Sequence, residues 1–370
     1  MQERSPRVDH RAIVKRLLSG VTMLVVLVAP ARFAAASNVP MAPVEASEMP
    51  VASWATPIGD LRYTPGRGLD VGGTGLTLGG YSNVSFFRDE GEAAHLRLDD
   101  LSLFVIWEPV ARLRFFSELE YADVIDVDTK GHVDSPDEAA TVERLYLDGA
   151  VSDAVNVRAG IFLTPVGRWN TIHAAPLVWT TSRPLVTERP FDPSVTGVML
   201  YGSVFPAAGS VTYSVYDQFA QPIEGNPDYD PADHSLGGRL QYDADGDWSA
   251  GSSYLAARRG GEWRHVGGLD FLWSRRPLEV MGEAIVDAGT GGGPEWGFYL
   301  QPVLAVSPRV ALVARYEHYD APGPFQLNIM TMGIAVRLLP TVVLKSEYQV
   351  VDRHTRAAPP GFRASVAVLF

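Results

Sequence analysis

Cysteine is absent from the 370-residue chain, and no long apolar run follows its N-terminal region. Without cysteine, disulfide bonds and thiolate metal sites are excluded. Without an apolar run of about 20 residues, the main part of the chain contains no candidate transmembrane helix. Basic residues are also few, because 31 Lys and Arg stand against 43 Asp and Glu for a formal net charge of −12. An acidic chain is a poor nucleic-acid binder, so no nucleic-acid partner is expected.

The N-terminal region has the pattern of an export signal. Basic residues come first, at Arg4, Arg7, Arg11, Lys15 and Arg16. An apolar stretch over residues 17–29 follows, and the small residues 34–36 are suited to signal peptidase. This pattern predicts a cleaved signal peptide over residues 1–36, with a single N-terminal anchor helix as the alternative. Residues 37–75 are rich in Pro, Ala and Gly without a clear period, and we interpret them as a periplasmic, partly disordered lead-in.

From residue 76 onward the chain alternates polar and apolar residues in segments of about ten, as membrane-spanning β-strands do. Residues 112–122 show this most clearly. One face carries Leu113, Phe115, Leu119 and Tyr121, and the other carries Arg112, Arg114, Glu118 and Glu120. The connections between segments alternate between short and long. Residues 123–140 and 258–264, for example, are expected to form outer loops, and residues 278–287 a strand. The pattern predicts an all-β, transmembrane antiparallel β-barrel of about 16 strands over residues 76–370, with short periplasmic turns and longer outer loops. A soluble β-sandwich is the alternative, because it also buries one face of each strand.

The last ten residues alternate in the same way and end on an aromatic side chain, Phe370. This ending resembles the terminal strand of Gram-negative outer-membrane barrels. The resemblance implies localisation in the outer membrane of a Gram-negative bacterium. It also implies that Phe370 is an assembly signal read by the barrel-assembly machinery, and that outer-membrane lipid and lipopolysaccharide surround the barrel.

A second resemblance covers residues 143–148, 152–160 and 162–167, which include the run Arg158-Ala159-Gly160-Ile161-Phe162-Leu163-Thr164-Pro165-Val166-Gly167. This region resembles the phosphate-selective porins and their relatives, in which the outer loop after this run folds toward the pore. The sequence lacks a ladder of closely spaced Arg and Lys, so the resemblance implies a pore without phosphate selectivity. It also implies a possible homotrimer.

We therefore expect a porin that allows passive diffusion of small hydrophilic solutes or ions, with no cofactor and no metal site. The predicted constriction is the long loop over residues 164–194, which contains Arg168, Trp169, His173, Arg183 and Arg189. The residues predicted to face the lumen are Arg112, Arg114, Glu118, Glu120, Arg144, Asp148, Arg158, Arg239, Arg315, Glu317, Lys345 and Glu347. These charges either line a water-filled channel or pair across neighbouring strands to hold the wall.

Two other functions remain open from the sequence. A non-conducting barrel would serve as a surface receptor or structural protein. A barrel hydrolase would need a nucleophile and base brought together from different strands. The chain has scattered histidines and no G-x-S-x-G turn, so we predict that it is not an enzyme.

Overall fold

The computed structural model describes residues 52–56, 59–134, 141–172, 174–221, 231–289, 293–323, 325–353, 355 and 357–370. The predicted signal peptide over residues 1–36 lies outside these described residues. Within the described ranges, sixteen antiparallel strands form a closed barrel with very little helix. The predicted fold class is confirmed. No helix in these ranges is long and apolar enough to cross a lipid bilayer.

In chain order the strands are β1 (Ala52–Thr56), β2 (Gly59–Thr64), β3 (Gly68–Val71), β4 (Leu76–Asp89), β5 (Ala94–Val110), β6 (Leu113–Asp128), β7 (Val133–Asp134), β8 (Thr141–Ser152), β9 (Val155–Leu163), β10 (Ser194–Val204), β11 (Ser210–Ala220), β12 (His234–Asp243), β13 (Trp248–Arg259), β14 (Glu262–Arg275), β15 (Leu278–Asp287), β16 (Glu295–Ala305), β17 (Val310–Ala321), β18 (Phe325–Leu339), β19 (Val342–Val351) and β20 (Gly361–Leu369). Strands β4 to β6 and β8 to β20 form the barrel wall. Each pairs with the next, and β20 closes the ring against β4, from Gly361 opposite Asp89 to Leu369 opposite Tyr81.

The wall strands place polar residues inside and apolar residues outside, and β19 is a clear example. Its buried side chains are Val343, Lys345, Glu347 and Gln349, and its exposed ones are Leu344, Tyr348 and Val350. Because side chains alternate along a strand, one set faces the barrel interior and the other faces outward. A charged interior with an apolar exterior is the reverse of a soluble protein and suits a barrel surrounded by lipid.

Exposed aromatic residues lie near both ends of the wall. Trp107 and Trp248 lie near the end that carries the short turns, and Trp263, Trp296 and Phe362 lie near the opposite end. Tryptophan is favoured where a bilayer meets water, because its ring is apolar and its N–H is polar. The two aromatic groups are therefore placed as interfacial girdles would be.

Two predicted loops are shorter than expected. Residues 258–264 were expected to form an outer loop, but β13 and β14 continue to Arg259 and Glu262 and are joined by Gly260 and Gly261 alone. Both glycines have positive φ, +57° and +86°, which a two-residue hairpin turn requires and which glycine adopts without strain. Similarly, β6 continues to Asp128, into residues expected to form a loop from position 123.

Part of the lead-in is regular. Strands β1, β2 and β3 form a small antiparallel meander, and β3 pairs with β4 from Leu69 opposite Leu78 to Val71 opposite Leu76. This pairing uses the same edge of β4 that β20 occupies further along. These strands are short and interrupted by Gly and charged residues, so they have no period that the sequence alone could reveal.

The barrel seam ends at Phe370. Its amide donates to the Gly80 carbonyl and its carbonyl accepts from the Gly80 amide, each at 2.9 Å. A Cβ at Gly80 would lie 2.1 Å from the Ser102 carbonyl oxygen and 2.9 Å from the Phe370 ring. Glycine at this position therefore lets the terminal ring pack directly against the first wall strand.

Candidate functional site: the loop inside the barrel

The loop over residues 164–193 connects β9 to β10 and is the longest connection between described strands. Its two ends are tied together at the base. The Thr164 amide donates to the Pro193 carbonyl at 2.8 Å, and Asn170 Nδ2 donates to the Thr164 and Pro193 carbonyls at 2.8 and 3.0 Å. These bonds fix the direction in which the loop leaves the wall.

Parts of this long loop are folded. It contains a four-residue helix, α1 (Trp169–Ile172), and two 3₁₀ turns, Ala175–Leu177 and Leu185–Thr187. Such short turns satisfy few of their own backbone groups, so the remaining N–H and C=O groups need partners elsewhere. Those partners come from inward-facing side chains of the barrel wall.

Glu283 on β15 holds the start of α1. Its carboxylate accepts the Arg168 amide at 3.0 Å, the Trp169 amide at 2.7 Å and the Tyr299 hydroxyl at 2.9 Å. Glu283 is 3% exposed, so water does not compete for these bonds. The carboxylate thus takes the role of a helix cap supplied by a distant strand.

Gly167 makes this close approach possible. It has a φ of +65°, and a Cβ added there would lie 2.0 Å from Glu283 Oε2. A larger residue would therefore be strained in its backbone and would also push the carboxylate away from the amides that it accepts.

The Arg168 side chain continues the contact onto the neighbouring strands. Its Nη2 donates to Ser249 Oγ on β13 at 2.5 Å, and its Nε lies 3.5 Å from Asp270 Oδ1 on β14. Asp270 is fully buried and also binds Arg239 on β12 through both terminal nitrogens. Arg168 of the predicted constriction and Arg239 of the predicted lumen lining are therefore brought together by one carboxylate.

A second anchor lies on β19. Glu347 accepts the amides of Thr181 and Ser182, each at 2.8 Å. Lys345 Nζ donates to the carbonyls of Ala175 and Thr180, each at 3.0 Å. Glu347 thus binds backbone N–H groups of the loop, and Lys345 binds its backbone carbonyls.

A third anchor lies on β17. Arg315 donates to Thr180 Oγ1 at 2.6 Å, to the Ser182 carbonyl at 3.0 Å and to Ser182 Oγ at 2.7 Å. Glu317 accepts from Arg315 at 2.6 Å and from the Leu185 amide at 3.0 Å. Arg315, Glu317, Lys345 and Glu347 were predicted to face the lumen. They do lie on the inner face, but they bind the loop and are at most 3% exposed.

Apolar packing completes this half of the interior. The loop contributes Val166, Trp169, Val178, Leu185, Val186 and Phe191 to one buried cluster with wall residues Leu255, Leu272, Met281, Ile285 and Tyr299. The Trp169 and Tyr299 rings meet edge to face, with centroids 6.1 Å apart. The loop is thus held both by charge-assisted hydrogen bonds and by a hydrophobic core of its own.

The strands β6, β8 and β9 carry inward charges that pair with one another. Glu118 on β6 accepts from Arg144 Nε on β8, and Asp148 on β8 accepts from Arg158 on β9 through two bonds of 2.8 and 2.9 Å. The Arg158 side chain is 22% exposed, whereas that of Arg315 is fully buried. The predicted cross-strand pairing is found here, on the part of the wall that stays accessible.

Aromatic rings support these arginines. Tyr81, Phe104, Phe116 and Tyr146 lie on the neighbouring strands β4, β5, β6 and β8, with successive centroids 5.8, 5.7 and 5.2 Å apart. The Arg158 guanidinium lies 3.7 Å from the Tyr146 centroid, and that of Arg144 lies 4.8 Å from the Phe116 centroid. Stacking on a ring fixes the plane of a guanidinium and adds a cation–π attraction.

The remaining predicted residues are scattered. Arg114 lies 3.6 Å from Glu108 and is half-exposed. Arg183 lies 3.7 Å from Glu188 within the loop, and the Arg189 guanidinium lies 4.8 Å from the Phe325 centroid.

Arg112 has a φ of 73° in the short turn between β5 and β6 and donates to the Val151 carbonyl. It therefore lies in a turn at the barrel end and not on a wall strand. His173 lies outside the described residues.

Sequence reasoning missed several inward-facing side chains that bind this loop. Asp270, Glu279 and Glu283 face inward and contact the loop, Glu279 through the Trp179 indole N–H at 2.7 Å. Each lies between apolar neighbours on its strand, so the alternation that identified the other inward charges could have found them.

No known family description matches the chain. An uncharacterized protein of Aquifex aeolicus (strain VF5) is 31% identical over 133 residues, which is 35% of this chain and 29% of that protein. The chain thus matches less than a third of this curated relative's length.

Solved structures are similar in fold. A Salmonella typhi OmpF complex with daunomycin has a TM-score of 0.61 at 8% identity, over 80% of this chain and 98% of that one. An anion-selective porin from Comamonas acidovorans has a TM-score of 0.54 at 16% identity, over 80% and 98%. A trimer form of OmpT, an outer membrane protein of Vibrio cholerae, has 0.56 at 9%, over 80% and 99%. At these identities the likeness concerns the fold, which is that of outer-membrane barrels and includes porins.

Proposed function

We propose that the protein is an outer-membrane porin through which small hydrophilic solutes or ions diffuse passively. The observation that carries the proposal is the inverted wall, with exposed apolar side chains outside and charged side chains inside. Charged groups facing lipid are costly, whereas charged groups facing a water-filled lumen are tolerated and influence which solutes pass. The likeness in fold to porins supports the same conclusion.

The proposed constriction is the loop over residues 164–193. Its contacts with Glu283, Arg315, Lys345 and Glu347 support an inward position, because all four belong to the inner face of the wall. Solutes would then pass between the loop and the strands β5, β6, β8 and β9, where Arg144 and Arg158 keep part of their side chains exposed.

The first experiment is conductance of the purified protein in a planar lipid bilayer. We expect stepwise increases in current, and larger steps when residues 176–187 are replaced by a short Gly-Ser linker. Folded protein that gives no steps at any voltage would contradict the proposal.

The absence of cysteine allows a sharper test of the same pathway. A single cysteine in an Arg158→Cys variant should react with a charged thiol reagent from the aqueous phase and alter the conductance. A matched Leu344→Cys variant has its cysteine on the exposed outer face, and the same reagent should leave its conductance unchanged.

Loop position is tested by a crosslink. Thr181 Oγ1 and Ser365 Oγ lie 3.0 Å apart, so a Thr181→Cys and Ser365→Cys pair should form a disulfide in the folded barrel. A pair that stays reduced under oxidising conditions would show that the loop does not rest on β20.

A second candidate function is a non-conducting barrel that acts as a surface receptor or structural protein. The observation that favours it is the apolar cluster between the loop and strands β13 to β16, which fills part of the interior. The bilayer experiment separates the two, because a filled barrel gives no current. The hydrolase alternative gains no comparable support and is tested by lipid or peptide hydrolysis lost on His-to-Ala substitution.

Export and assembly belong to the same proposal. Residues 1–36 would be removed as a signal peptide, Phe370 would be read by the barrel-assembly machinery, and lipid and lipopolysaccharide would contact the outer face. A homotrimer is also proposed, supported by the trimer form of the Vibrio cholerae barrel with this fold. Deletion of Phe370 should lower the yield of folded barrel in the outer membrane while leaving export across the inner membrane unchanged.

A further inference from the structure

The meander of β1, β2 and β3 has an apolar face. On β2 and β3 the apolar residues are Leu61, Tyr63, Leu69 and Val71. Leu61 lies opposite Val71, and Tyr63 lies opposite Leu69. Residues directly opposite each other in an antiparallel sheet share a face, and residues two apart on one strand do so as well. All four side chains therefore belong to the same face of the meander.

The other face of the meander is charged. Arg62 and Asp70 alternate with the apolar residues, lie directly opposite each other and are exposed. Asp60, two residues before Arg62, belongs to the same face and is exposed as well. A sheet with one apolar and one charged face needs an apolar partner for the first and water for the second.

The apolar face of the meander continues the outer face of the barrel wall. Leu69 lies opposite Leu78 and Val71 opposite Leu76, both on β4. Leu76 in turn lies opposite Trp107 of β5. Leu78 and Trp107 are 39% and 46% exposed on the outside of the barrel. One apolar surface therefore runs without interruption from the wall strands onto the meander.

Hydrogen bonds hold the meander beside the aromatic girdle at the short-turn end. Trp107 Nε1 donates to the Thr74 carbonyl at 3.2 Å, and the Thr74 hydroxyl donates to the Val71 carbonyl at 2.6 Å. The Gly72 amide donates to the Asp60 carbonyl at 2.8 Å. Because tryptophan is favoured where a bilayer meets water, these bonds place the meander at the edge of the membrane.

Protein packing does not account for the apolar face. Among the described residues, neither buried hydrophobic cluster of the barrel includes a residue of β2 or β3. Leu61, Tyr63 and Leu69 are half-buried, as are the outer-face wall residues Leu76 and Leu101. The medium that meets the adjoining wall is lipid, and the tyrosine ring with its hydroxyl suits the boundary between lipid and water.

We propose that the meander is a membrane-binding element whose apolar face rests on the phospholipid of the periplasmic leaflet. The charged face then meets water on the side of the barrel mouth, since Asp70 lies opposite Thr77, an inward position of β4. The inference rests on the proposed outer-membrane position of the barrel. It goes beyond the porin function by assigning a lipid partner to residues 59–71 of the lead-in.

The test is the environment of a nitroxide label on single cysteines in the cysteine-free chain. The protein is placed in vesicles of phosphatidylethanolamine and phosphatidylglycerol, where oxygen concentrates in the bilayer and a polar nickel chelate stays in water. Tyr63→Cys and Arg62→Cys are neighbours on opposite faces. Relative to collisions with the chelate, the Tyr63→Cys label should collide with oxygen several-fold more often than the Arg62→Cys label.

Leu69→Cys and Asp70→Cys repeat the comparison on β3, so a single variant that fails to fold does not decide the outcome. Leu344→Cys, on the exposed outer face of β19, is the lipid reference. A Tyr63→Cys label that is open to the chelate would overturn the inference. A label shielded from both reagents would overturn it too, because the face is then covered by protein.

Either result leaves the porin function intact as long as the Leu344→Cys label reports lipid. If the Leu344→Cys label is itself open to the chelate in folded protein, the membrane barrel is contradicted and the inference is overturned with it.

Discussion

The interior of the barrel has two regions that use the same residue types differently. Inward charges on strands β13 to β19 bind the backbone of the loop and are almost wholly buried, as Glu283 and Lys345 are. Inward charges on β6, β8 and β9 bind one another over aromatic rings, and the two arginines of these pairs, Arg144 and Arg158, remain partly exposed. What covers a charge therefore decides whether it anchors the loop or stays accessible.

The difference has an energetic consequence. When a buried anchor is removed, backbone N–H or C=O groups of the loop lose their partner and water does not replace it. When a partly exposed charge is removed, water replaces much of what is lost. Substitutions should therefore be costly in the first region and mild in the second.

The largest effect is expected for Glu283→Leu. The substitution leaves the amides of Arg168 and Trp169 and the Tyr299 hydroxyl without their acceptor, so the free energy of unfolding should fall by about 3 kcal/mol. Urea unfolding in detergent micelles measures this. Glu283→Gln keeps one oxygen acceptor and should lose less, and equal losses in the two variants would argue against the anchoring role.

An intermediate effect is expected for Gly167→Ala. The new Cβ would meet the Glu283 carboxylate, and the positive φ of Gly167 disfavours alanine, so the free energy of unfolding should fall by about 1 to 2 kcal/mol. Gly246→Ala is the matched control, since a Cβ there has open space. If both variants unfold at the same urea concentration, the close approach at Gly167 does not affect the free energy of unfolding.

The smallest effect is expected for Arg114→Ala in the accessible region. Arg114 and Glu108 are 43% and 59% exposed and 3.6 Å apart, so the pair should contribute less than about 0.5 kcal/mol. The same urea titration tests this. A loss as large as that of Glu283→Leu would remove the distinction between the two regions.

Most of the wall could be predicted from the sequence, because strand alternation is a local property. The bounds predicted for β15, residues 278–287, agree with the structure. Boundaries failed where a strand continues beyond a break in its register, as at Asp123 on β6, and where two glycines suffice for a turn. These failures concern the ends of strands and leave their order unchanged.

The candidate site was less predictable. The length and the charged residues of the loop indicated a special role, but the wall side chains that bind the loop are distant from it in sequence. The Arg168 amide and its acceptor Glu283 are 115 residues apart, and the Thr181 amide and Glu347 are 166 apart. Barrel closure determines which strands face the loop, so these contacts follow from the completed fold and have no signal in any short segment.

The edge of β4 that is shared by β20 and β3 also constrains how the barrel can shift. Neighbouring strands could in principle slide past each other in steps of two residues. Sliding of β20 toward the short-turn end is blocked, because β3 occupies the next positions on the same edge, from Leu78 to Leu76. In the other direction, the bond from the Glu90 amide to the Pro360 carbonyl would have to break. Together β3 and β20 fix the register of the barrel seam, and the register of the seam sets the strand tilt and the circumference of the barrel.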